Sequence, residues 1–171
     1  MTLQIRRAVP AEAASLAAFG AHAFRDWYAA FNDPADLEQH VARTYGEAQQ
    51  SQELADPLCE YTLAIVDDAI AGYALVRAGN RHPGVAGPDP GEVCRFYLAR
   101  AHHGRGVAPA LMTAAFEAAR ARRIGTLWLG AWDQNPRALA FYAKMGFVDV
   151  GSTTFVLGST PQVDRLLVRT L

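Results

Sequence analysis

Apolar residues in the first third of the chain recur at intervals of three and four, the spacing of a helix with one buried face. This pattern runs over residues 11–31 and follows a short apolar segment at 3–8 that predicts a strand. Asp33 and Pro34 suit the cap and first turn of a second helix, and a further helical piece is expected over 47–55. The first third therefore predicts a strand followed by helices.

The remainder of the chain alternates between short apolar runs and helical patterns. Its predicted elements are two strands joined by a turn at Asp67–Asp68, a loop rich in glycine and proline over 79–92, a strand over 92–98, a helix over 106–123, a strand over 126–132, a helix over 135–145 and two final strands. This order predicts an α/β fold, with a mixed sheet of about seven strands flanked by about four helices. The unit from 92 to 131 is expected to form a right-handed parallel crossover.

Composition narrows the class of protein without naming a ligand. The 171 residues carry a net charge of −1 and are 51% hydrophobic, which is typical of one globular domain over 1–171. Because positive charge is not in excess, neither nucleic acid nor an anionic membrane is expected as the main partner. Cys59 and Cys94 lack metal-ligand spacing, so no metal site is expected, and a start without an apolar leader predicts a reduced, cytoplasmic protein.

The segment HHGRGVA, residues 102–108, joins the end of a predicted strand to the start of a predicted helix. Glycines at 104 and 106 leave the backbone accessible, and a helix N-terminus offers free N–H groups with partial positive charge. The segment is therefore either a pyrophosphate-binding loop or only a turn. It lacks the third glycine of a dinucleotide fingerprint and the GK[ST] of a Walker loop, which argues against a nucleotide-dependent enzyme.

Two segments resemble the signatures of one family. HGRGVA resembles the acetyl-CoA loop of the GNAT superfamily of N-acetyltransferases, whose pattern is Gln/Arg-x-x-Gly-x-Gly/Ala. NPRALAFYAKMGF, residues 135–147, is similar to that family's Asn-led helix with a Phe-Tyr pair. The order of predicted elements matches over essentially the whole chain. Within the superfamily, the strand EVCRFYL and the carboxyl-terminal segments most resemble the bacterial polyamine-acetyltransferase-like branch.

The resemblance implies acetyl-CoA as the co-substrate. Its pyrophosphate would be held by the main-chain amides of six consecutive residues: His103, Gly104, Arg105, Gly106, Val107 and Ala108. The backbone of Tyr97 and Leu98 would pair with the pantetheine arm, while Asn135 contacts the same arm, caps its helix or does both in part. Two positions are notable, because His103 replaces the Gln or Arg of the pattern and Pro109 has no N–H to donate.

The resemblance also implies direct attack of an amine on the thioester, without an acyl-enzyme. Tyr142 would be the general acid that donates to the departing CoA thiolate, although the same residue also fits a core position. Glu92 would be the base, directly or through water, or else is a solvated carboxylate at a strand start. Strict alternation predicts that Glu92 shares a face with residues 94, 96 and 98. Cys94 is expected to be an ordinary buried thiol rather than a nucleophile.

The acceptor site is expected between the first two helices and the loop over 79–91. Aromatic residues there are mixed with acids, which suit a cationic amine or else serve the core and the helix starts: Trp27, Tyr28, Phe31, Asp26, Asp33, Asp36 and Glu38. The expected acceptors are a polyamine, another small amine or a peptide amine, and a homodimer is compatible with the sequence. The alternative function is a CoA-binding sensor or interaction module with the same fold and little turnover.

Overall fold

The structure, a computed structural model, describes residues 2–171. Its seven strands are β1 (Leu3–Arg7), β2 (Cys59–Val66), β3 (Ala69–Ala78), β4 (Pro90–Leu98), β5 (Thr126–Trp132), β6 (Val148–Leu157) and β7 (Thr160–Thr170). Its α-helices are α1 (Ala13–Tyr28), α2 (Pro34–Thr44), α3 (Glu47–Ala55), α4 (Val107–Ala121) and α5 (Pro136–Lys144). The predicted α/β class, with a mixed seven-stranded sheet flanked by helices, is confirmed, and each predicted helical segment has its counterpart.

Side-chain caps explain where two of the helices begin. Asp33 accepts hydrogen bonds from backbone N–H groups in the first turn of α2, and Pro34 occupies the first helical position. Asn135 caps α5 in the same way, with Pro136 following it. Both helix starts agree with those predicted from the sequence.

One mixed sheet contains the seven strands in the order β1-β2-β3-β4-β5-β7-β6. The pair β4 and β5 is parallel and is connected through α4, as the predicted crossover requires. Leu111 and Phe116 of α4 pack on one face of the sheet, and Leu16 of α1 packs on the other. Leu63 and Ala64 of β2 point to opposite faces and are both fully buried, so helices cover the sheet on two sides.

A β-bulge interrupts the register between β3 and β4. Leu75 pairs with Arg95 and Val76 pairs with Val93, so Cys94 is the extra residue that faces no partner on β3. An extra residue changes the phase of side-chain alternation along its strand. Side chains therefore alternate between the two faces of the sheet both before and after Cys94, but the alternation is shifted by one residue at the bulge.

The bulge changes the predicted surroundings of Glu92. Phe96 and Leu98 pack with Val93 in the core beneath α4, whereas Cys94 Sγ lies 3.6 Å from the Glu92 carboxylate. Glu92 shares a face with Cys94, as predicted. The prediction that it shares that face with residues 96 and 98 is wrong, because strict alternation does not continue through a bulge.

The parallel strands β4 and β5 are paired over only a short length. Residues 90–92 pair with 126–128, and beyond that point β4 stays bound to β3 while β5 stays bound to β7. The two strands therefore separate towards their carboxyl ends. Within residues 2–171, the edge of β4 that faces the gap has no strand partner after Glu92.

A buried ion pair ties α3 to β4 beside the bulge. Arg95 donates from Nη1 and Nη2 to the two carboxylate oxygens of Glu53, over 2.7 and 2.8 Å, and also donates to Tyr61. The Arg95 and Glu53 side chains are only 9% and 12% exposed. Removing one partner would leave the other charge desolvated and unpaired.

The variant Glu53→Gln keeps the shape of the side chain but removes its charge. We expect it to lower the free energy of unfolding by about 3 kcal/mol, because the buried Arg95 charge loses its counterion. Urea unfolding at neutral pH measures the change. The matched control is Glu38→Gln, which breaks the exposed pair with Arg25 and should cost less than about 1 kcal/mol. Equal small losses in both variants would contradict the assignment of Arg95–Glu53 as a structural pair.

Candidate active site

The gap between β4 and β5 opens into a cavity of about 600 Å³, a size typical of small-molecule sites. Leu129 and Ala131 of β5 line it and also belong to the core beneath α4. Trp132 lines it too, and its ring packs against Tyr28 of α1 on the other side of the sheet. The walls therefore come from both faces, and the cavity passes through the sheet.

The predicted glycine turn lies at the end of this cavity where α4 begins. Gly104 and Gly106 have φ of +74° and +81°, the left-handed region that favours glycine, and a Cβ at either position would meet nothing within 4 Å. Four of the six predicted loop residues line the cavity, namely the two glycines, His103 and Ala108. The side chain of Val107 is instead fully buried in the core.

His103 connects the glycine turn to the end of β4. Its Nε2 lies 3.2 Å from the carbonyl oxygen of Leu98, and its ring stacks on Trp27 with the centroids 5.7 Å apart. Burial lowers the pKa of His103, and the nearby Arg137 lowers it further. The ring is therefore uncharged at neutral pH and serves to position the turn.

The turn has the chemistry of a diphosphate site. Left-handed glycines with open space above them let phosphate oxygens approach the backbone, and the N-terminus of α4 supplies free N–H groups with partial positive charge. Arg137 and Lys144 line the same cavity and add positive charge. These donors fit the pyrophosphate of CoA.

The end of β4 and the start of α5 form the walls beyond the turn. Tyr97 and Leu98 line the cavity at the part of β4 that is not paired with β5. The hydroxyl groups of Tyr97 and Tyr45 form a hydrogen bond of 2.7 Å. Asn135 also lines the cavity, and its Oδ1 accepts a hydrogen bond from Ala138 as the cap of α5. Within residues 2–171 its NH₂ group has no partner, so the cap leaves a donor available for a ligand.

Tyr142 reaches the cavity from α5. Its ring packs edge-on against Phe96 and Phe147, with centroid distances of 6.3 and 5.7 Å. No group in residues 2–171 forms a hydrogen bond with its hydroxyl. Burial raises the pKa of Tyr142, with a smaller contribution from Tyr28, so the phenol is protonated and able to donate.

Glu92 lies beside the cavity but is not part of its wall. Its carboxylate accepts hydrogen bonds from the side chains of Asn80 and Cys94, and burial raises its pKa. Cys94 does line the cavity. Burial, followed by the neighbouring Glu92 charge, raises the pKa of the Cys94 thiol far above its usual value, which disfavours the nucleophilic thiolate.

The acids predicted near the acceptor are engaged in other contacts: Asp33 caps α2, Asp36 accepts a hydrogen bond from Ser159, Glu38 pairs with Arg25, and Asp26 lies beside Arg100. Of the aromatic residues predicted there, Trp27 and Tyr28 line the cavity. Phe31 packs against Trp132, with the ring centroids 5.0 Å apart. Trp27 and Tyr28 therefore lie at the cavity, whereas none of these four acids lines it.

A different carboxylate, which the sequence pattern did not predict, lines the cavity. Asp164 lies on β7 opposite Trp132 of β5 and lines the cavity. Burial raises the pKa of Asp164 to about 6, and the negative charge of Asp133 contributes to the increase. A sequence signal existed, because Asp164 stands two positions before the buried Leu166 and so shares its face of the strand.

Residues 2–171 contain no group of three or more His, Cys, Asp or Glu side chains placed to hold a metal ion. None of the helices in that range combines the length and the apolar character needed to cross a membrane.

Comparison with protein families matches residues 21–147 to the Acetyltransferase (GNAT) family. An uncharacterised N-acetyltransferase of Lactobacillus delbrueckii subsp. lactis is 31% identical over 148 residues, which cover 86% of this chain and 86% of that protein. An uncharacterised N-acetyltransferase of Mycobacterium tuberculosis is 34% identical over 143 residues, which cover 81% of this chain and 86% of that protein.

Solved structures share the fold over the whole chain. The PaiA N-acetyltransferase of Thermoplasma acidophilum, crystallised with coenzyme A, superposes with a TM-score of 0.79 and 16% identity and covers 100% of both chains. YncA of Salmonella typhimurium, crystallised with acetyl-CoA, gives a TM-score of 0.70 and 21% identity and covers 100% of this chain and 95% of its own.

These findings agree with the geometry of the split sheet and its glycine turn. The family match spans most of the chain, and the two bacterial relatives each exceed 30% identity over most of their length. The chain belongs to the GNAT family of acetyltransferases.

Proposed function

We propose that this protein, as one acetyltransferase domain over residues 1–171, transfers the acetyl group of acetyl-CoA to a primary amine by direct attack. The observation that carries the proposal is the cavity that passes through the sheet between β4 and β5. Its wall includes a glycine turn with Arg137 nearby, and also a carboxylate with aromatic rings. Such a passage lets a cofactor and an acceptor meet from opposite faces of the sheet.

At the cofactor end, the backbone provides most of the binding groups. The amides of residues 103–108 would hold the pyrophosphate, and Pro109 marks the point where amide donation stops. The unpaired edge of β4 at Tyr97 and Leu98 would pair with the pantetheine amides as a neighbouring strand does. The free NH₂ of Asn135 would donate to the same arm.

Acetyl-CoA supplies an acetyl thioester, and the residues of this chain position its reaction. Tyr142 would donate its proton to the departing sulfur, since it lines the cavity and its hydroxyl is protonated and has no partner within residues 2–171. Glu92 can act as a base only by relay, because its carboxylate lies behind Cys94 and off the cavity wall. The acceptors we propose are polyamines, other small amines and peptide amines.

The function is tested by measuring CoA thiol release with acetyl-CoA and a panel of amines that includes spermidine, phenethylamine and a peptide with a free N-terminus. Amine-dependent release of the thiol supports the proposal. Measurable CoA binding without release for any amine would instead identify a CoA-binding module that has lost turnover.

The variant Gly106→Ala tests the cofactor end. A methyl group on the left-handed residue that opens α4 would stand where the phosphate oxygens approach the backbone. We expect the KM for acetyl-CoA to rise about tenfold or more, equivalent to about 1.4 kcal/mol of lost binding, with little change in kcat.

The matched control for that variant is Gly79→Ala. Gly79 also has a left-handed φ, +74°, with nothing within 4 Å of a Cβ, and it lies outside the cavity. Both variants carry a similar backbone strain, about 1–2 kcal/mol, so a rise in KM caused by strain alone would appear in both. Such a shared rise would contradict the phosphate role of the turn.

The variant Tyr142→Phe tests the proton donor. Loss of a general acid should lower kcat about 100-fold or more, while the KM for acetyl-CoA stays within about threefold because the ring remains. The raised pKa of Tyr142 also predicts that the wild-type rate shows no loss below about pH 10 from ionisation of this phenol. Steady-state kinetics across pH measure both effects.

Tyr73→Phe is the control for Tyr142→Phe. It removes a hydroxyl that is fully buried, outside the cavity and without a hydrogen-bond partner within residues 2–171. Its kcat should match that of the wild type. Full activity of Tyr142→Phe at every pH would remove Tyr142 from the mechanism.

A further inference from the structure

Asp164 lines the cavity, and within residues 2–171 no cation neutralises it. Arginine pairs hold many of the carboxylates in residues 2–171: Glu12, Glu38, Glu53, Asp56, Glu60 and Asp149. Within that range no group donates a hydrogen bond or forms a salt bridge to the Asp164 side chain. A half-buried carboxylate without compensation is costly in a folded protein.

The position of Asp164 indicates what could compensate it. Of the residues that line the cavity, it is the only acid. Its Oδ2 lies 3.1 Å from the point where a Cβ at position 130 would stand, so the absence of a side chain at Gly130 leaves room for the carboxylate over the wall of β5. The carboxylate is thus held at a wall of the cavity that a ligand can reach.

Several groups face Asp164 from the neighbouring elements, and none of them is cationic. Tyr28 approaches from α1, and the Asp164 charge helps to raise the pKa of that phenol. Asp133 adds a like charge just after β5, while Trp132 of β5 and Thr153 of β6 are the strand partners. Aromatic rings beside an unpaired carboxylate form a good environment for an alkylammonium ion.

We propose that Asp164 binds the cationic acceptor amine and takes the proton that the amine must lose before attack, with Tyr28 and Trp132 enclosing the amine. This inference rests on the proposed acetyltransferase function and specifies its acceptor. The class of substrate is a primary alkylamine that carries a positive charge at neutral pH. An acceptor with a carboxylate next to its amine would be rejected by Asp164 and Asp133.

One proton passes from the ammonium ion to the Asp164 carboxylate, and from there to solvent after each turnover. The nitrogen lone pair then forms the C–N bond at the thioester carbonyl carbon, and the C–S bond breaks with its electrons on sulfur. Tyr142 protonates the sulfur, and the second proton lost by nitrogen returns through solvent to Tyr142. The products are an amide, the CoA thiol and one released proton.

Asp164 is favoured over Glu92 for this role by geometry. The Glu92 carboxylate is occupied by Asn80 and Cys94 and is not part of the cavity wall, whereas Asp164 is on the wall and unoccupied within residues 2–171. A proton acceptor has to lie within hydrogen-bond reach of the amine, directly or through one water.

The kinetic test compares wild type, Asp164→Asn and Glu92→Gln with spermidine and phenethylamine as the probe amines. In the wild type, kcat/KM for the amine should rise with pH up to about 6 and then level off. This bend in the pH profile is expected because Asp164 has to be ionised to bind the charged amine and accept its proton. Asp164→Asn should lose this bend and raise the KM for the amine at least about tenfold, leaving the KM for acetyl-CoA unchanged. Glu92→Gln should keep the bend.

The variant Asp133→Asn is the matched acidic control. It removes the like charge beside Asp164, so the bend should remain but move to lower pH. An unchanged amine KM and an unchanged bend in Asp164→Asn would overturn the inference, as would loss of the bend in Glu92→Gln alone. Absence of turnover with every amine in the wild type would instead overturn the proposed function itself.

A second readout needs neither cofactor nor turnover. The pKa of Asp164 in the folded protein is about 6, above the usual value of about 3.9 for an unfolded chain, so the folded state holds the proton more tightly. The stabilising contribution of protonated Asp164 to the free energy of unfolding is therefore present at low pH and is lost as pH rises from about 4 through 6. Asp164→Asn should raise Tm at about pH 7.5 and lose that gain near pH 4. An Asp164→Asn protein that is less stable at the higher pH would show that the carboxylate is already satisfied, which contradicts the inference.

Discussion

The short pairing between β4 and β5 is the constraint on which the rest of the site depends. Two parallel strands in a sheet covered by helices on both faces would normally form a closed wall of core side chains. Here they are paired only over 90–92 and 126–128, and each then follows its other neighbour. The resulting gap exposes an unpaired strand edge within the protein, a ready partner for an extended ligand with amide groups.

Several features hold this gap open. The extra residue at Cys94 changes the course of β4, and the buried Arg95–Glu53 pair fixes the residue next to it against α3. On the opposite side, β5 is held along its full length by β7, which brings Asp164 opposite Trp132. The same separation that opens the cavity thus places a β7 carboxylate on its wall, and it connects the two ends of the proposed reaction.

The features that sequence predicted correctly are those set by local chemistry. Asp33 and Asn135 mark helix starts because a capping side chain acts on its own first turn, and Asp67–Asp68 marks the β2–β3 turn, where both residues have positive φ. The glycines at 104 and 106 were also recognisable, because their conformational freedom is a property of the residue itself. The GNAT resemblance carried by these segments agrees with the family match.

The features that sequence did not predict are set by pairing between distant strands. The bulge at Cys94 exists only relative to β3, so strict alternation placed Phe96 on the wrong face. Asp164 reaches the cavity only because β7 inserts between β5 and β6, and nothing local to it encodes that order. The sequence leaves open whether the acids near Trp27 serve an acceptor or the helix starts, and the structure engages them with arginines, a helix cap and Ser159.

A crystal structure of the protein with CoA tests the central claim most directly, because it shows whether a ligand passes through the split sheet. The account predicts the pyrophosphate on the amides of residues 103–108, the pantetheine arm along the free edge of β4, and the sulfur beside the Tyr142 hydroxyl with Asp164 across the cavity. CoA bound outside the gap between β4 and β5, or with its sulfur directed away from Tyr142, would contradict it.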